Sequence, residues 1–134
     1  MKKSIFIGLI CSIILTSFVS PKPKSVKWLE GTWVGFGYEP NSQDHWLAKM
    51  DYTLDNGVFQ ISYPSFPCAG NWQLLSSDKH QAKFIEYITE NTSLCQDEGS
   101  LIVTKISDEF ISVAYFLPEL SDDVIAFAVL RKTP

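Results

Sequence analysis

From Trp28 onward the apolar residues recur with a period of two, in short β-branched and aromatic runs separated every ten to fifteen positions by turn formers. The clearest run spans 45–54: Ala48, Met50, Tyr52 and Leu54 fall on one face, and Lys49, Asp51 and Thr53 on the other. Asp55-Asn56-Gly57 follows it with residue types that tolerate positive φ in a tight hairpin turn. The same reading predicts strands at 31–38, 58–63, 71–75, 80–89, 100–106, 110–116 and 124–131. No stretch carries a sustained helical period. Eight short strands with short connections predict an all-β fold, an antiparallel up-and-down barrel with an interior that is either packed or large enough for one small ligand. Closure also removes the edge strands that invite aggregation.

Two runs do not alternate cleanly. In 31–38, Trp33, Gly35 and Gly37 share one face and Val34, Phe36 and Tyr38 the other, so either set can point inward. The glycines there relieve a coiled strand, or let a neighbouring strand or a ligand approach. In 80–89, Glu86 interrupts the apolar series Ala82, Phe84, Ile88. A carboxylate facing a barrel interior must be paired or protonated, and Lys105 or a tyrosine hydroxyl is the expected partner. Met50, Tyr52, Trp72, Phe84 and Glu86 are the residues expected to line any cavity.

The N-terminus changes the picture of where this barrel folds. Lys2 and Lys3 precede an uncharged apolar stretch over 4–19, the pattern of an export signal spanning 1–20. The stretch is slightly shorter than the roughly 20 residues a membrane span requires. Ser17 and Ser20 are small enough to precede a cleavage site, but Leu15, Phe18 and Pro21 flank them awkwardly. The segment is therefore either removed or kept as an N-terminal anchor, the only membrane contact expected. Cys11 follows the bulky Ile10 in mid-run and reads as an inert thiol, not a lipid attachment site. Residues 21–27 form a basic, proline-containing tether. Residues 28–134 have the length of one domain, which buries about two-thirds of its unfolded surface.

From Trp28 on, six basic residues stand against 15 acidic ones, a balance of −9. Such a surface repels a phosphate backbone, so nucleic acid is excluded as a partner, whereas a basic protein suits it. With Cys11 set aside, Cys68 and Cys95 remain. An even count in an exported chain predicts a disulfide, here pinning the open end of the hairpin formed by the fourth and fifth strands. Metal binding by these cysteines with His45 or His80 lacks any clustered ligand spacing. The expected location is the periplasm or cell envelope, or the medium.

Catalytic chemistry is not visible. Neither histidine belongs to a triad, no carboxylate pair is evident, and no glycine-rich phosphate loop occurs, so no catalytic residue, cofactor or metal is expected. Asn91-Thr92-Ser93 is a formal glycosylation sequon. The four tryptophans and five tyrosines suit a ligand cavity or a protein interface as well as barrel packing.

Gly31-Thr32-Trp33, opening the first strand, resembles the Gly-x-Trp signature of the lipocalin and calycin superfamily. The resemblance implies that Trp33 plugs the barrel base and that Arg131, ending the last expected strand, packs over its ring as a cation–π contact. The chain is nearer in length to the compact avidin-like barrels. A second stretch, Ile61-Ser62-Tyr63-Pro64-Ser65 with Cys68-Ala69-Gly70, Phe84-Ile85-Glu86 and Cys95-Gln96-Asp97-Glu98-Gly99, resembles an exported bacterial domain family without assigned activity. It implies a disulfide-closed β domain. The expectation is a monomeric, non-enzymatic binding module for a small apolar ligand or a partner protein. The alternative is an inhibitor of a basic enzyme, similar to the periplasmic lysozyme inhibitors, which are likewise small exported barrels with a disulfide.

Overall fold

A computed structural model of the chain describes residues 26–95, 97–117 and 123–134. The segment expected to direct export, Cys11 and the expected tether as far as Ser25 lie outside the described residues, as do Gln96 and most of the last interstrand loop. A 3₁₀ turn, Lys27–Leu29, leads into eight strands: β1 (Gly31–Glu39), β2 (Asp44–Tyr52), β3 (Phe59–Tyr63), β4 (Cys68–Ser77), β5 (Gln81–Glu90), β6 (Ser100–Lys105), β7 (Phe110–Phe116) and β8 (Ala126–Lys132). Each pairs antiparallel with its neighbour in sequence, and β8 pairs with β1, so the sheet closes into an up-and-down barrel. Val26 and Leu29 are buried, so packing extends at least two residues ahead of the boundary expected at Trp28.

Alternation decides what enters the core. On β2, Trp46, Ala48, Met50 and Tyr52 are buried while Leu47 and Lys49 between them are exposed. Leu54 departs from the expected pattern. The strand ends at Tyr52, the chain turns with Gly57 N–H donating to Thr53 O at 3.0 Å, and Leu54 lies in solvent. The fourth strand runs well beyond 71–75 at both ends. Register shifts at Ala69/Gly70 and Leu74/Ser76 interrupt its alternation, which is why its ends do not read as strand.

In β1 the inward face is Trp33, Gly35 and Gly37. A Cβ on Gly35 would meet the Val129 carbonyl, so the glycine permits the close approach of β8 that seals the barrel. Fully buried Trp33, Met50, Phe84, Leu101, Ile111 and Leu130 fill the interior, each contributing about 1.5–3 kcal/mol by leaving water. Tyr52 stacks on Phe59 at 3.9 Å between ring centroids, and Phe84 meets both Phe59 and Trp72 edge-on or tilted. Met50, Tyr52, Trp72 and Phe84 are therefore packed core and not cavity wall, a correction to the sequence expectation.

The barrel base differs in one residue from what the lipocalin resemblance implies. Trp33 is buried there, donating its indole N–H to Leu29 O at 2.9 Å. The cation over its ring is Lys132, not Arg131, which lies over Phe110 instead. The reason is the pleat: Lys132 has the inward parity of Leu130 and pairs with Trp33, whereas Arg131 pairs with Val34 and points outward.

Candidate functional site

The ends of β1, β3, β5 and β7 and the starts of β2, β4, β6 and β8 meet at the end of the barrel opposite Trp33. At this mouth lies a pocket of about 310 Å³, bordered among others by Glu39, Asp44, Trp46, Tyr63, Phe66 and Tyr115, with Glu86 beneath them. Of the five residues expected to line a cavity, Glu86 alone borders it. Other concavities lie on the outer face, for example around Asp51, Gln60 and Asn71, or beside the C-terminus.

Glu86, on β5, is held in place by side chains from β3 and β4. Tyr63 on β3 donates its hydroxyl to Glu86 Oε2 at 2.5 Å, and Trp72 on β4 donates its indole N–H to the same oxygen at 2.7 Å. The Tyr63 and Tyr115 hydroxyl oxygens are 3.2 Å apart. With its single proton committed to Glu86, Tyr63 has an oxygen lone pair for Tyr115, which extends the chain to β7. Oε1 of Glu86 receives no hydrogen bond from a described residue, and no ion pair involves this carboxylate among them. Because no fully buried side-chain oxygen among the described residues is left without a partner, Oε1 is the edge that meets the pocket.

Burial raises the Glu86 pKa above its ordinary value. The Tyr63 and Trp72 hydrogen bonds oppose that rise, and the Asp97 carboxylate adds to it. Tyr63 and Tyr115 are both pushed up, chiefly by burial, and remain protonated donors at any physiological pH. The sequence expectation of a tyrosine partner for Glu86 matches this geometry; Lys105 is engaged with Asp108 at 2.8 Å.

The walls are positioned by local features of the chain. Trp46 fits because Gly37 opposite has no side chain; a Cβ there would strike the indole. The Trp46 ring meets Tyr115 edge-on, with centroids 6.2 Å apart, and lies 6.4 Å from Phe66. Leu94 and Cys95 add a wall from the segment after β5. That segment is tied down by the Cys68–Cys95 disulfide, by Asn91 donating to Pro67 O, and by Asp97 Oδ1 accepting from Ile88 N–H at 2.8 Å and Glu98 N–H at 2.9 Å. The bridge thus shapes the pocket as well as pinning the hairpin.

His45 is exposed and packs on Tyr38 at 4.8 Å, and His80 is exposed in the β4–β5 turn. Neither borders the pocket, and the two cysteines are bonded to each other. Among the described residues no group of three or more potential metal ligands occurs. Trp46, Tyr63 and Tyr115 belong to the tryptophans and tyrosines that the composition marks as suited to a cavity or an interface, without being placed individually, and Phe66 carries no such signal. Trp46 and Tyr63 do carry inward parity with their strands, which was the available signal. No known family, curated protein or solved structure matches the chain.

Proposed function

We propose that the domain is an exported, non-enzymatic binding module of lipocalin-like build that takes a small, largely apolar ligand in its mouth. The observation that supports this is the pocket itself: aromatic walls around one positioned buried polar group, at the lower end of the roughly 300–1,000 Å³ usual for ligand sites. The packed base rules out a ligand running through the barrel axis. A disulfide is compatible with an oxidising compartment, in keeping with periplasm, envelope or medium. Native mass spectrometry of the protein purified from its own host tests the reading, with a co-purifying mass as the expected result. A bare protein, with tryptophan emission unmoved by an organic extract of that host, would end it.

The alternative is inhibition of a basic enzyme, favoured by Glu39 and Asp44 on the rim and by the domain's charge of −9. Here a partner's side chain would occupy the mouth. Stoichiometric addition should block a cationic lysozyme, and salt should weaken the block by screening exposed charges. Full lysozyme activity at micromolar inhibitor would discard it.

A further inference from the structure

We infer that the mouth pocket selects an organic cation, an ammonium or guanidinium carried on an apolar body, which Glu86 Oε1 receives between the faces of Trp46, Phe66 and Tyr115. This rests on the reading of the mouth as a ligand site and names the chemistry of its occupant. Three features carry it. Glu86 is 93 % buried, at 7 % relative exposure, yet its only side-chain partners among the described residues are the uncharged Tyr63 and Trp72, both on Oε2. Its second oxygen is left for a donor from outside. Among the described residues no lysine, arginine or histidine borders the pocket, while Glu39 and Asp44 place two further carboxylates at its rim.

The aromatic walls complement a cation as the carboxylate does. Their faces are negative, and they attract an ammonium or guanidinium within about 6 Å of a ring centroid. A neutral apolar ligand would leave Glu86 to be protonated or to remain an uncompensated charge, and an anion would meet the carboxyl groups of Glu39, Asp44 and Glu86. A cation supplies the missing counter-charge in a partly desolvated site, where the pairing is stronger than in water.

The groups facing Glu86 are Tyr63 from β3, Trp72 from β4, Tyr115 from β7 and Asp97 from the segment after β5, with Glu39 and Asp44 above. Burial and Asp97 favour its protonated form, and a cation reverses this by favouring the carboxylate. Cation binding is therefore expected to release a proton at mildly acidic pH and to weaken as the pH falls.

Phenethylammonium and 2-phenylethanol separate the possibilities, since they share a body and differ in charge. Titrated into the purified full chain at pH 7.5 and followed by calorimetry and tryptophan emission, the amine is expected to bind at least about tenfold more tightly than the alcohol. The preference should vanish in Glu86→Gln, whose amide oxygen still accepts from Tyr63 and Trp72. In the wild type it should also shrink at pH 4, where the amine keeps its charge and Glu86 is protonated; this arm needs no variant. Equal binding of amine and alcohol, or a preference that survives in Glu86→Gln, overturns the inference and leaves the ligand-pocket reading standing. Binding of neither into the millimolar range removes both. Competition identifies the source of the cation: a cationic lysozyme displaced by phenethylammonium points to a partner's side chain, and the amine binding without such competition points to a free amine.

Discussion

The Lys132 ammonium lies 5.5 Å from the centroid of the Trp33 ring, capping the barrel base where β8 meets β1. Lys132 also carries its stem past Gly31, so its methylenes cover surface that would otherwise be wet. Lys132→Ala is expected to lower stability by about 0.5–1 kcal/mol, the value of an exposed cation–π contact. Arg131→Ala, next to it but outward, removes the contact over Phe110 and should cost a similar amount or less, so stability alone does not separate the two. Urea melts of a double-mutant cycle with Trp33→Leu check the pair: Lys132 should couple to Trp33 and Arg131 should not, and equal coupling would remove the assignment of the base contact to Lys132.

The Cys68–Cys95 bridge closes a separation of 27 residues, for which the chain-entropy model gives about 3–4 kcal/mol. Replacing both cysteines by alanine is expected to cost about 2–5 kcal/mol. Because Leu94 and Cys95 form a pocket wall, the variant should also lose ligand affinity under conditions where it remains folded. Thermal melts and ligand titrations on the same sample separate the two effects.

Glu86 makes stability depend on pH with a defined sign. Its folded-state pKa is raised above the ordinary 4.5, so the stabilisation it provides is complete below that value. It is lost as the pH rises through the raised folded value. Glu86→Gln has no such titration and should gain on the wild type between pH 4.5 and neutrality. Denaturant midpoints of both proteins across that window test it, and parallel curves would contradict the burial argument. Glu86→Ala should instead cost about 1–3 kcal/mol at neutral pH by leaving the Tyr63 and Trp72 donors short of a partner.

Three glycine-to-alanine substitutions are expected to diverge. At Gly35 the new Cβ meets backbone, the Val129 carbonyl, and parting β1 from β8 should cost about 3 kcal/mol or more. At Gly37 it meets the Trp46 ring, which can swing, so the expected result is a smaller stability loss with shifted Trp46 emission and a weakened pocket. At Gly57 nothing lies near, and only its φ of +67° is at stake, for about 1 kcal/mol. Melting temperatures give the ranking, and fluorescence isolates Gly37→Ala.

The chain's own pattern determined the eight strands, the meander order and the burial of Met50, Tyr52, Trp72, Phe84 and Glu86, because a period of two assigns each residue to a face using only its neighbours in sequence. The even cysteine pair and the tyrosine partner expected for Glu86 were legible for similar reasons: compartment and burial each leave few chemical options. Parity does not report height along the barrel axis. Met50 and Trp46 share one face of β2, yet one is sealed in the core and the other borders open space. The exchange of Lys132 for Arg131 has another source: Lys132 continues the inward series Ala126, Ala128 and Leu130, but the expected strand stopped one residue short of it. Only the closed register decided height along the axis. It gathers Trp46, Tyr63, Glu86 and Tyr115 from four strands at one mouth, up to 69 positions apart in sequence, and nothing local in any one strand encodes that meeting.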